Sequence, residues 1–150
     1  MEGASLEYLA LIELAAGHTS AAEAAARGAL SVASIEPALP LNQAESFAIL
    51  AQTLLAAGRA GDARTAAGEG LRMLEELGGI DDGEAIIRLT WAEALHATGD
   101  TVGAREAITA ARERLLHRAG RIPDEPLRRS FLERVPENAR TLAHAAAWLA

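Results

Sequence analysis

Four histidines, a short acidic run and a cluster of arginines are the residues of this chain whose types could do chemistry. His18, His96, His117 and His144 could ligate a metal or carry a proton. They are far apart, and no two share a helix face at a spacing of three or four. A metal site would have to be assembled wholly by tertiary contact. Asp81-Asp82-Gly83-Glu84 is acidic and holds a glycine, but it lacks the alternating oxygen ligands of a calcium loop. It reads as a helix start whose first-turn acids suit the helix dipole. Ser46 and Ser130 have no paired base in view. No glycine cluster has the strand-to-helix setting of a phosphate loop. With no cysteine there is no thiolate nucleophile, thiolate zinc site or disulfide. The expectation is a protein that is not an enzyme and needs no metal or cofactor.

Two further features carry side chains of interest. Arg121, Arg128, Arg129, Arg134 and Arg140 gather positive charge near the end of the chain. Asp124, Glu125, Glu133 and Glu137 are the expected partners, with contact to an acidic partner as the functional alternative. Trp91 stands where the repeats described below place leucine, so it is expected in the core. Trp148 is expected either there or against a neighbouring molecule.

The elements that position these residues are helices. Half the residues are hydrophobic but only 3% are aromatic, so alanine and leucine carry the apolar fraction. Both are strong helix formers, whereas strands favour β-branched and aromatic residues. A core of this composition depends on many close contacts between small residues. The net charge is −7, which argues against nucleic acid as a partner. It is unevenly spread: residues 1–100 hold 5 Arg against 15 acids, and residues 101–150 hold 9 Arg against 6 acids. No apolar run reaches the roughly 18 residues of a membrane span. Met1 leads into a stretch with Glu2, Glu7 and Glu13, so no secretory leader is expected. The cytoplasm is the expected location. The early first helix suits a piece of a larger protein.

Self-comparison shows a period. Gly17, Gly58 and Gly99 are 41 residues apart, each closing a helical stretch. Seven residues before each stands an alanine (Ala10, Ala51, Ala92), preceded by Leu9, Leu50 or Trp91. Five after each stands Ala22, Ala63 or Ala104, and seven further on Ala29, Gly70 or Ala111. A glycine at a helix end accepts the left-handed conformation that turns the chain. Small residues at fixed places then let two helices approach closely, and such hairpins bury their remaining apolar faces by stacking. The pattern predicts helices at about 4–16, 19–34, 42–57, 60–77, 83–98 and 101–119. Ser20-x-x-Glu23, Asn42-x-x-Glu45 and Asp81-x-x-Glu84 read as capping boxes, and Pro37 to Pro40, Gly78-Gly79 and Arg121-Ile122-Pro123 as loops.

After Pro123 the pattern changes. Asp124 is placed to cap a helix with Pro126 in its first turn, bearing Leu127, Phe131, Leu132 and Val135. Val135-Pro136 ends it. A last helix follows over about 137–149, with Leu142, Ala146 and Leu149 as its apolar face. This pair is expected to cover Val102, Ile108, Leu115 and Leu116 of the preceding helix.

The small residue of the first helix, the turn glycine and the two small residues of the second resemble the tetratricopeptide repeat. The resemblance covers about 120 residues. It departs from the family at the first-helix aromatic (here Leu6, Phe47, Arg88) and at the second-helix aromatic (Ala26, Ala67, Ile108). The closing proline is absent, and the period exceeds the family's usual one of about 34 residues. The stretch from Leu127 to Leu142 is similar to the ends of large bacterial signalling proteins that join a serine/threonine kinase, cyclase or ATPase regulator to such repeats.

The resemblance implies an all-α, right-handed solenoid of three hairpins, at about 4–41, 42–81 and 82–122, with a C-terminal helical cap at 123–150. It implies a protein–protein interaction module, the scaffold or sensor region of a bacterial signalling or regulatory protein. Its concave groove would be lined by Glu7, Leu11 and Leu14, by Ala48, Gln52 and Leu55, and by Leu89, Glu93 and His96. Such a groove is apolar with acidic punctuation and suits a protein or peptide partner that is amphipathic or basic. It lacks a lysine clamp for a terminal carboxylate. The alternative is a structural role in self-association as a homo-oligomer.

Overall fold

In the computed structural model, which describes residues 2–35, 40–80 and 83–150, the three repeat glycines set the geometry. Gly17, Gly58 and Gly99 have φ of 80°, 77° and 84°. At each, the following residue's N–H reaches back past the turn, from His18 to Glu13 O, Arg59 to Leu54 O and Asp100 to Leu95 O, at 2.8–3.0 Å. These bonds satisfy carbonyls that a helix end leaves without a partner.

Eight helices and no strand are present among the described residues: α1 (Glu2–Ala15), α2 (Thr19–Ile35), α3 (Pro40–Ala56), α4 (Ala60–Glu76), α5 (Glu84–Ala97), α6 (Thr101–Gly120), α7 (Glu125–Arg134) and α8 (Pro136–Trp148). The class is all-α. None is long and apolar enough to cross a membrane. Two capping boxes are corrected. Ser20 lies inside the first turn of α2, and Pro40 starts α3 two residues before Asn42, since a proline at the first helical position loses no helix bond. Asp81, and the Pro37 to Leu39 part of the expected loop, lie outside the described residues. Side-chain caps form where Gly103 N donates to Asp100 Oδ1 and Leu127 N to Asp124 Oδ1, both at 2.9 Å.

Helices pair as α1 with α2, α3 with α4 and α5 with α6, and the pairs join through α2–α3 and α4–α5. The small repeat residues make this possible. Ala10, Ala51, Ala92, Ala22, Ala63 and Ala104 are all buried. At Gly70 a Cβ would sit 3.0 Å from Ala44 O and 3.3 Å from the Phe47 Cβ, so α4 crosses α3 closely. The first helices of successive pairs also touch, α1 with α3 and α3 with α5, whereas α2, α4 and α6 do not touch one another among the described residues. The first helices therefore form one contiguous row.

The last helix joins that row. α8 packs on α6 and α5, the same relations that α5 has to α4 and α3. Its buried residues are Asn138, Thr141 and Ala145, not the expected face of Leu142, Ala146 and Leu149. Ala145, with Trp148 and Leu149 against it, closes a core of Leu89, Ala92, Ile108 and Ala111. α7 buries no residue fully. Leu127, Val102 and Leu116 stay exposed, while Ile108 and Leu115 are covered. α8 covers Ile108, while α7 also touches α6 through side chains that are at most half-buried.

One ion bracket lies inside. Glu84, the first residue of α5, is buried. Its carboxylate accepts from Arg88 Nε at 2.7 Å, Arg114 Nε at 2.9 Å and Nη2 at 3.1 Å, and Ile80 N at 3.3 Å. Burial pushes its carboxyl up, but Arg114, Arg88 and the Ile80 N–H outweigh that and hold it down at about 2. Glu84 therefore ties α5 to α6.

Candidate binding cleft

The nine expected groove residues form three rows, each stepping by the repeat period. In the row Glu7, Ala48, Leu89 only Glu7 keeps partial exposure. Ala48 and Leu89 are buried, and Glu7 Oε1 accepts from the buried Ser46 Oγ at 2.6 Å. This row is corrected: it faces neighbouring helices, because the first helices pack one on another. The other two rows behave differently. Leu14, Leu55 and His96, together with Gln52 and Glu93, line one open cleft of about 620 Å³. Leu11, the remaining member, is exposed but is not part of the cleft wall.

The far wall comes from α8. Arg140, His144 and Trp148 follow one another every four residues and so share a helix face, and all three line the cleft. Trp148 stacks with two imidazoles. Its ring is stacked 4.4 Å from His96 on α5 and 4.4 Å from His144 on its own helix. Two of the four histidines are therefore brought together, but as a stack with tryptophan. Among the described residues no group of three or more His, Asp or Glu side chains is placed to hold a metal ion.

Glu93 anchors this wall. Its side chain is only 9% exposed, and its Oε1 accepts from Arg140 Nη2 and stands 2.9 Å from His144 Nε2. The charge that would have served a basic segment is thus met within the chain. Gln52, one period before Glu93, differs: it is 8% exposed, lines the cleft, and its carboxamide has no hydrogen-bond partner among the described residues.

Comparison of the chain with protein-family models, with curated proteins and with solved structures finds no match.

Elsewhere the arginine cluster behaves largely as expected of a solvated face. Arg129 pairs with Glu125 at 3.1 Å and Arg128 donates to Ile122 O at 3.3 Å. Arg140 leaves the cluster for Glu93. Trp91 packs against the core of the first two pairs, and Arg64 lies 6.0 Å from its ring. A smaller hollow of about 340 Å³ borders Trp91. Arg64 and Arg88 beside it are engaged by Asp100 and Glu84.

The contribution of α8 is what sequence reasoning missed. The four-residue spacing of Arg140, His144 and Trp148 was the available signal. Nothing local says that this face meets Glu93, some 47 residues away in the chain.

Proposed function

We propose that this chain is a non-catalytic protein–protein interaction module of the tetratricopeptide type, whose stacked hairpins form a right-handed solenoid. It holds a peptide segment or partner domain in the cleft along its first helices. The observation that carries this reading is convergence. Three successive first helices and α8 place side chains around one open, largely apolar hollow, and repeated inner helices are the surface such arrays use. The resemblance of the end of the chain to bacterial signalling proteins supports a scaffold or sensor role in the cytoplasm.

The test uses the exposed alanines that end α3 and α5 in the cleft wall, Ala56 and Ala97. Peptides selected from a displayed random library on the immobilised chain should bind the parent. They should fail to bind Ala97→Arg, whose melting temperature should stay unchanged. Leu11→Arg, off the wall, should still bind. Equal binding by Ala97→Arg would remove the cleft from the proposal.

Self-association is the second reading, and one observation favours it. Tyr8 and Ile12, one turn apart on α1, are 69% and 64% exposed, an apolar pair of the kind that marks contact surfaces. Light scattering across concentration decides it: a mass that does not change with concentration, and is the same in Tyr8→Glu with Ile12→Glu, would discard it.

A further inference from the structure

We infer that copies of this chain join head to tail, the bare face of α1 in one copy seating on the outer face of α8 in the next. This rests on the self-association reading above and names the two surfaces that meet.

The inference comes from which positions the row covers. Ser46, Ile49 and Thr53 on α3, Ile87, Thr90 and Ala94 on α5, and Asn138, Thr141 and Ala145 on α8 share one spacing, and all nine are buried. Each triplet meets what precedes it: Ser46 bonds to Glu7 of α1, Ala94 packs with Ile49 of α3, and Ala145 with Leu89 of α5. The same triplet on α1 is Ser5, Tyr8 and Ile12, and it is exposed, as is Leu9 beside it. α8 is open on its other side. Ala143 stands two residues after Thr141, as Ala10, Ala51 and Ala92 stand two after Tyr8, Ile49 and Thr90. Those three are buried in cores shared with the second helix of their own hairpin. Ala143 is exposed, with Ala146 and Ala147 beside it.

A second copy answers both openings. The match of large side chains to a flat helix face already occurs between hairpins, where a Cβ on Gly68 of α4 would sit 3.3 Å from the ring of Trp91 on α5. Leu9 occupies the position of Trp91 two periods earlier. Charge selects unlike ends. α1 and α2 carry Glu2, Glu7, Glu13 and Glu23 against Arg27 alone, whereas residues 121–150 carry five Arg and four acids. Two α1 faces would set like charge against like, and α1 against α8 does not. A contact between unlike faces does not close on itself, so copies add in open chains.

Sedimentation velocity of the full chain and of variants spoiled at one end tests this. The parent should grow past the dimer as its concentration rises through about 0.1 mM, as suits a small interface. Tyr8→Glu with Ile12→Glu keeps only the α8 face, and Ala143→Glu with Ala146→Glu keeps only the α1 face. Each should stay monomeric with unchanged melting. Ala143→Trp, which fills the α8 face without charge, should also be monomeric. Mixed in equal amounts, the two double variants should form a dimer and nothing larger. Dimers of Ala143→Glu with Ala146→Glu alone would mean that α1 faces pair with each other, which overturns head-to-tail joining. Parent association that neither double variant weakens would overturn it too. Self-association itself would survive both results. A parent that stays monomeric up to about 1 mM would remove both.

Discussion

The two ends of the row of first helices carry related surfaces in opposite states. On α1, Tyr8 and Ile12 are open to solvent. One and two periods later the same positions are Ile49 and Thr53 on α3, and Thr90 and Ala94 on α5, and all four are buried. At the other end Leu89 and Ile108 are buried because α8 lies across them. Larger apolar residues are thus bare at the first position, while threonines are covered at the next two. Those threonines are accommodated through their own helices, Thr53 Oγ1 donating to Leu50 O at 2.8 Å and Thr90 Oγ1 to Ile86 O at 2.7 Å. Position in the row, and not residue type, assigns burial. In a stacked array each pair takes its core from its neighbours.

The sharpest way to break this comparison is to make the two ends alike. Ending the chain after Arg121 removes α7 and α8 and uncovers the Leu89 and Ile108 core. The fragment is expected to lose cooperative melting and to aggregate, as followed by circular dichroism and light scattering. A monomeric, cooperatively melting 1–121 fragment would show that α8 is no part of the row. At the covered end, Leu89→Ala should cost about 3 kcal/mol in urea denaturation.

Glu84 tests whether α5 and α6 are held by charge as well as by packing. Its carboxyl lies at about 2 in the folded chain, against an ordinary 4.5. A depressed value means that the bracket's contribution is fully present above pH about 4.5 and is lost as pH falls toward about 2. Glu84→Ala should destabilise by about 2 kcal/mol at neutral pH, less than a fully buried pair because Arg114 is half exposed. The difference between parent and variant should shrink across that acid window. A difference that stays constant with pH would assign the effect to packing alone.

Smaller effects refine the picture. Gly58→Ala should cost about 1 kcal/mol, since a Cβ there meets no atom within 4 Å and only the positive φ opposes it. Tyr8→Glu with Ile12→Glu, at the bare end, should change stability by less than about 0.5 kcal/mol. A large loss there would mean that the open face is covered in solution.

The 41-residue spacing, the turn glycines and the buried alanines could be read directly from the residues. They are local requirements: a left-handed turn needs glycine, and close helix contact needs small side chains. The first six helices and the rows at 52/93 and 14/55/96 follow from the same periodicity, and the Asp124 cap from its own local pattern. The third row could not be read, since Leu89 looks like Leu14 until a neighbouring helix covers it. Nor could the wall of Arg140, His144 and Trp148, whose amphipathic face has several apolar surfaces to choose from. Only the folded chain brings α8 back onto α5, across an interval in which loop closure and an interposed α7 leave no repeating mark. Burial of Glu93 against Arg140 and the imidazole–indole stack follow from that docking. Pairing across some 47 residues depends on which apolar face is left uncovered, a property of the assembled row and not of any one segment.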